Sequence, residues 1–166
     1  MANSEHLEQL GKGKDAWNKW LEEYAGDRRT VDLTSANLSK KELSDYNFIG
    51  INLKGINLRS AILTNANFLL ADLSNADLSC AKIRQGEFNQ AILENANFSN
   101  ADLFRASFNR AKLNRANLRG IDGRQTFFAQ ADCMETNFTT ANLMDAKVQE
   151  SNLKGAIFRI PSIFRG

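Results

Sequence analysis

From residue 33 onward a bulky apolar side chain recurs at every fifth position. The series runs Leu33, Leu38, Leu43, Phe48, Leu53, Leu58, Leu63, Phe68, Leu73, Leu78, Ile83, Phe88, Leu93, Phe98, Leu103, Phe108, Leu113 and Leu118. It breaks at Gly123 and resumes through Phe128, Cys133, Phe138, Leu143, Val148, Leu153, Phe158 and Ile163. Calling each of these positions i, position i−2 is most often alanine, as at Ala61, Ala66, Ala71, Ala76 and Ala81. Position i−1 is most often asparagine or aspartate, as at Asn67, Asp72, Asp77, Asn97 and Asp102. A helix would spread such residues around its circumference, and a strand would send them to alternating faces. The pattern suits a coil that turns a corner every five residues, with i and i−2 inward and the rest outward. Alanine fits at i−2 because two inward side chains per wall share a narrow tube at close-packed density. Asparagine or aspartate at i−1 bonds nearby backbone at a corner, so these carboxylates read as structural.

The Ala-(Asp/Asn)-Leu-X-X motif, carried by stretches such as Ala71-Asp72-Leu73-Ser74-Asn75-Ala76-Asp77-Leu78, resembles the pentapeptide-repeat family over roughly residues 31–165. The resemblance implies an all-β chain, a right-handed quadrilateral parallel β-helix with four pentapeptides per coil. Phe48, Phe68, Phe88, Phe108 and Phe128 are spaced by 20 residues. Four pentapeptides per coil would stack them as a phenylalanine ladder, with Val148 next. At the ordinary strand spacing of about 4.8 Å, about 6.75 coils would extend roughly 32 Å.

Some positions depart from the pattern. Lys41, Tyr46, Ile51 and Ile56 stand at i−2, which suggests a wider or partly covered first coil. In Gly120–Phe128 a glycine, Gly123, takes a core position and Phe127 replaces Asn or Asp. The register afterwards is intact. The expectation is a local bulge or distorted corner filled by Ile121 or Phe127, with a functional loop as the alternative. Residues 1–26 read as an amphipathic helical cap and 27–166 as the β-helix. Trp17, Trp20, Leu21 and Tyr24 share one helical face, joined by Leu7 and Leu10. Ser4 is a candidate N-cap, Gly26 a stop, and Gly11 and Gly13 are points of division. A β-helix exposes an unpaired coil at each end, so such a helix would cover the first coil; the alternative is a partner-binding helix. Trp17-Asn18-Lys19-Trp20 also resembles the N-terminal region of cyanobacterial family members. At the other end, Pro161 cannot donate to a ladder. Ile160, Ile163 and Phe164 would instead support a homodimer through the C-terminal coil, an arrangement that the resemblance implies for some members.

Chemistry is sparse. His6 is the only histidine, and it is expected near a loose terminus, which leaves the repeats without the usual general base. Gly11-Lys12-Gly13-Lys14-Asp15 does not match a phosphate-binding loop. Cys133 is inward and expected to be inert; Cys80 points outward with nothing to activate it. The reading is a protein that is not an enzyme, with no cofactor and no metal site. No apolar run approaches the roughly 18 residues of a membrane span, and no secretory signal precedes the repeats, so a cytoplasmic location is expected.

Charge decides between binding functions. Some members of the family mimic DNA before gyrase, which demands dense negative charge, since a duplex carries one charge per roughly 1.7 Å. Here the formal net charge is +2. The wall through Leu38 and Leu58 sets Lys40, Arg59, Arg119 and Arg159 against Asp77. The phenylalanine wall balances Glu87 and Glu150 against Arg110 and Lys147. DNA mimicry, or direct nucleic-acid binding by thinly spread cations without interleaved aromatics, is therefore the runner-up. The preferred reading is a scaffold that binds a protein partner, which the sequence does not name, through an exposed face. Ile49, Leu69 and Leu70 on the phenylalanine wall are candidates. So are Phe104, Met144 and Phe164 in one outward column interrupted by Arg124, and Ile160 at the end.

Overall fold

The computed structural model describes residues 1–159. Ile160, Pro161, Ile163 and Phe164 lie outside the described residues, and with them the end of the expected series of coils. Pairing runs at a constant separation of 20 residues, from the parallel bridge Asp32↔Asn52 to Asn137↔Ile157. Each wall pairs through its i−1 residue alone, because the next corner begins two residues later. The ladder is thus built of single bridges, and no longer strand forms among the described residues.

The backbone of one repeat shows why period five is stable. Within Ala66–Leu70, the Asn67 N–H donates to Tyr46 O of the preceding coil at 3.0 Å. Phe68 N–H donates to Glu87 O at 2.7 Å and Leu70 N–H to Asn89 O at 3.1 Å, both in the following coil. The Ala66 N–H closes a turn onto Leu63 O at 3.1 Å. That leaves the Leu69 N–H, and the Asn67 side-chain oxygen accepts it at 2.9 Å. Every donor of the repeat is satisfied, as a buried or half-buried backbone requires. The corner itself needs a left-handed residue at i+2, seen at Asn65 (φ 57°), Asn75 (φ 60°) and Gly55 (φ 62°). Asparagine and glycine tolerate this conformation best, but Leu70, Cys80, Arg105 and Thr140 adopt it too.

Inside the tube, the rings of Phe48, Phe68, Phe88, Phe108 and Phe128 stack at centroid separations of 5.0, 4.8, 4.9 and 5.1 Å, with interplanar angles of 11° or less. Phe98 meets Phe88 and Phe108 edge-on from the opposite wall. Phe138 and Phe158 form a second stack on that wall, 5.0 Å apart. The inward residues of the last described coil are more open, Val148 and Phe158 being 43% and 54% exposed.

Gly120–Phe128 contains neither a bulge nor a loop. The bridges Asp102↔Asp122, Asp122↔Asn142 and Phe127↔Lys147 keep their register. A side chain at Gly123 would lie 2.9 Å from Leu143 Cδ2 and 3.0 Å from Ile121 Cδ1, so these two residues occupy the space that a leucine would fill. Phe127 does not contribute; it is 40% exposed.

The N-terminal segment also differs from expectation. Two helices form, α1 (Ser4–Gly11) and α2 (Lys14–Glu23). Asn3 rather than Ser4 caps α1, its side chain accepting from Glu5 and His6 N–H. The helical stretch ends before Gly26, with Tyr24 already extended. His6 is buried, and its Nδ1 accepts the Asp32 N–H at 2.9 Å. Trp17 Nε1 donates to Asn47 O at 2.7 Å, and the Asn18 amide accepts from Asn47 N–H while donating to Asp45 O. These side chains and the Asn3 N–H, which donates to Asp32 O, stand where a preceding coil would otherwise bond. Tyr46, Ile51 and Ile56 are buried beneath them, whereas Lys41 is exposed despite its i−2 position.

Truncating the middle of the ladder by Phe88→Ala should cost about 3–5 kcal/mol of unfolding free energy in urea titration, as buried phenylalanine truncations do. The two thiols should also separate by reactivity. Burial, with the nearby Asp132 charge, pushes the Cys133 thiol up to about 12. Cys80 is exposed. Iodoacetamide at pH 8 should therefore alkylate Cys80 in the native protein and reach Cys133 only after denaturation, as read by mass spectrometry.

Candidate interaction surface

The outward positions distribute unevenly over the walls. On the phenylalanine wall, Ile49 and Leu69 are half-buried, Leu70 is 53% exposed and Phe127 40% exposed. Between them runs a column of ordered amides. In the repeats of Ser107 and Phe127, which lack Asn or Asp at i−1, the i+1 asparagine of the preceding coil takes over its duty. The Asn89 side-chain oxygen accepts the Asn109 N–H at 3.0 Å, and that of Asn109 accepts the Ala129 N–H at 3.0 Å. Phe127 can replace the usual amide because of this relay, and its ring is freed to face outward. At the wall's edge, Arg110 Nε donates to the Gln130 side-chain oxygen at 2.7 Å, and the Gln130 amide donates to Glu150 at 2.7 Å. The result is a surface low in charge, with apolar side chains at Ile49, Leu69 and Leu70 and again at Phe127.

The third wall places Phe104 under a canopy of guanidinium groups. Arg84, Arg105 and Arg124 lie 5.5, 5.0 and 5.5 Å from its ring centroid, within cation–π range. Arg84 pairs with Asp102 and Arg124 with Asp122, each at 2.7 Å, and Arg105 is held by Gln125. The hydrogen bonds from Arg124 hold the Asp122 carboxyl below its usual range. Phe104 is thus partly covered by cations that are themselves mostly neutralised. Met144, two coils later in the same column, is 63% exposed. On the basic wall, Arg59 reaches one coil along to bond Ser79 at 2.9 Å.

The candidate residues do not form one patch: Leu69, Leu70 and Phe127 share a wall, while Phe104 and Met144 lie on another. Sequence reasoning did not assign a role to Asn89 or Asn109, and gave Phe127 only that of filling the space at Gly123. The available signal was an asparagine at i+1, one coil before the repeats of Ser107 and Phe127. His6 and Asn18 were likewise missed as edge partners, since nothing at helical spacing marks them. Among the described residues no group of His, Cys, Asp and Glu is placed to hold a metal ion, and no helix is long and apolar enough to cross a membrane.

Comparison with known proteins places this geometry. The family described as pentapeptide repeats matches residues 51–86, 87–120 and 126–159, in 8 copies. No curated protein matches the sequence. Among solved structures, a pentapeptide repeat protein of the Arabidopsis thaliana thylakoid lumen is 18% identical, covering 75% of this chain and 72% of that one, with a TM-score of 0.51. A pentapeptide repeat protein from the cyanobacterium Cyanothece 51142 is 22% identical over 75% of this chain and 89% of its own, at a TM-score of 0.36. QnrB1, a plasmid-mediated fluoroquinolone resistance protein, is 20% identical over 75% and 80%, at 0.38. With its five-residue period, its 20-residue ladder and the match to the family over more than half of its length, the chain belongs to the pentapeptide-repeat family and has that family's right-handed quadrilateral β-helix.

Proposed function

We propose that this protein is a non-catalytic interaction scaffold that binds a protein partner through the phenylalanine wall of its β-helix. The observation that carries the reading is the exposure of Leu70 and Phe127, 53% and 40%, on a wall stiffened by stacked rings and an amide relay. Exposed apolar side chains on a rigid, weakly charged surface favour desolvation on contact and lose little entropy when bound. Helices α1 and α2 serve in this reading as a cap on the first coil. Ile157 and Phe158, 41% and 54% exposed, favour a homodimer through the C-terminal coil. The cytoplasm is the proposed compartment. Gyrase modulation by DNA mimicry, or direct nucleic-acid binding, is the alternative; a net charge of +2 and walls of mixed sign weigh against it.

Replacing Leu69 and Leu70 by serine should abolish capture of the partner from native lysate while the circular dichroism spectrum stays that of the parent protein. Equal capture by both proteins sinks the assignment of this wall.

A further inference from the structure

The covering of the first coil is incomplete, and the uncovered half has a defined chemistry. Each wall of a first coil presents three kinds of unpaired backbone group: the N–H and C=O of residue i−1 and the C=O of residue i+1. On the walls of Leu33 and Phe48, His6, Asn3, Trp17 and Asn18 satisfy Asp32 and Asn47, leaving open, among the described residues, only the C=O of Thr34 and Ile49. On the walls of Leu38 and Leu43, no protein group among the described residues bonds the N–H or C=O of Asn37 and Glu42, or the C=O of Ser39 and Ser44. Asn37 and Glu42 are exposed. This is a strand edge with one side paired to the next coil, as in Glu42↔Ile62, and the other side vacant.

Beside that edge runs a groove of about 330 Å³ between α1 and the coil, lined by Leu7, Leu10, Leu38, Leu43 and Tyr46, with Lys41 and Glu42 at its rim. Lys40 and Lys41 form no ion pair among the described residues, although Lys12 on α1 does, with Glu8 at 3.9 Å. The Glu42 carboxylate turns back to accept the Ser44 N–H at 3.0 Å. The edge thus offers parallel-ladder hydrogen bonds, an apolar slot for one bulky side chain, and unneutralised positive charge.

We propose that the edge at Asn37–Ser44 accepts an extended, acidic, leucine-bearing segment of a partner protein as an added strand. Backbone pairing with Glu42 supplies register, the groove takes the leucine, and Lys40 and Lys41 select acidic neighbours. This site lies at the end of the tube and is independent of the phenylalanine wall, so loss of either leaves the other testable.

The test uses the full chain and a blocked, fluorescent peptide, Glu-Ala-Asp-Leu-Asp-Glu, which copies the register of the repeat. Anisotropy should show saturable binding, and hydrogen exchange should show slowed amides at Asn37 and Glu42. Glu42→Pro removes an N–H that the folded chain leaves unpaired, which an edge strand tolerates; it should weaken binding about tenfold. Glu42→Ala, which keeps the N–H, should bind as the parent does. Lys41→Glu should weaken binding about tenfold. A peptide N-methylated at its leucine provides the same backbone test without altering the protein, and it should also lose affinity. The proposal is overturned by undiminished binding of the N-methylated peptide, by equal binding of a peptide with lysine replacing the acidic residues, or by no binding. Amide protection that rises with protein concentration alone would overturn it too, because a second copy would then occupy the edge.

Discussion

The structure depends on each coil having the one beneath it as its hydrogen-bond partner at a constant offset of 20 residues. A parallel ladder leaves different groups free on its two sides, so a coil is satisfied only when both neighbours are in register. Within that constraint four of the five N–H groups of a repeat are used by the ladder and the turn. The fifth, at i+1, is left over, and in most repeats a side chain accepts it. That single leftover donor explains why asparagine and aspartate recur at i−1, without appeal to solubility or ligand binding. It also explains two of the exceptions, since an amide one coil back serves the Asn109 and Ala129 N–H groups.

Part of this arrangement was legible in the primary structure. Inward positions at i and i−2 follow from size and period, so the alanine columns could be read directly, and the phenylalanine stack followed from the four repeats per coil that the family resemblance implies. What could not be read were the substitutions that work between coils. Phe127 looked like a defect in its own repeat, but the compensating residue, Asn109, lies in the preceding coil. Gly123 looked like a missing core residue, yet Ile121 two residues before it and Leu143 one coil later share its space. Both cases required coordinates because period-five reasoning inspects one repeat at a time, while packing in a tube is settled among three.

The N-terminal segment was hidden for another reason. The helical spacing of Trp17, Leu21 and Tyr24 reports burial, and Trp17 and Leu21 are indeed fully buried. It says nothing about polar residues that reach sideways to the ladder. His6 and Asn18 act as substitutes for peptide groups: an imidazole nitrogen for a carbonyl, and a side-chain amide for a whole backbone unit. Such mimicry depends on where a helix lands rather than on its pattern.

That same mimicry sets the limits of the cover. Two short helices can place only a few polar side chains along the square rim of a coil, and here they fall on two adjacent walls. The other two walls keep their edge in water, with exposed lysines at the rim. An exposed edge is ordinarily an invitation to aggregate, and charge beside it is one of the means by which proteins discourage indiscriminate pairing. Lysines at 40 and 41 repel a second basic edge but attract an acidic strand. The feature that protects the open half of the coil from most partners is therefore the one that would admit a particular class of them.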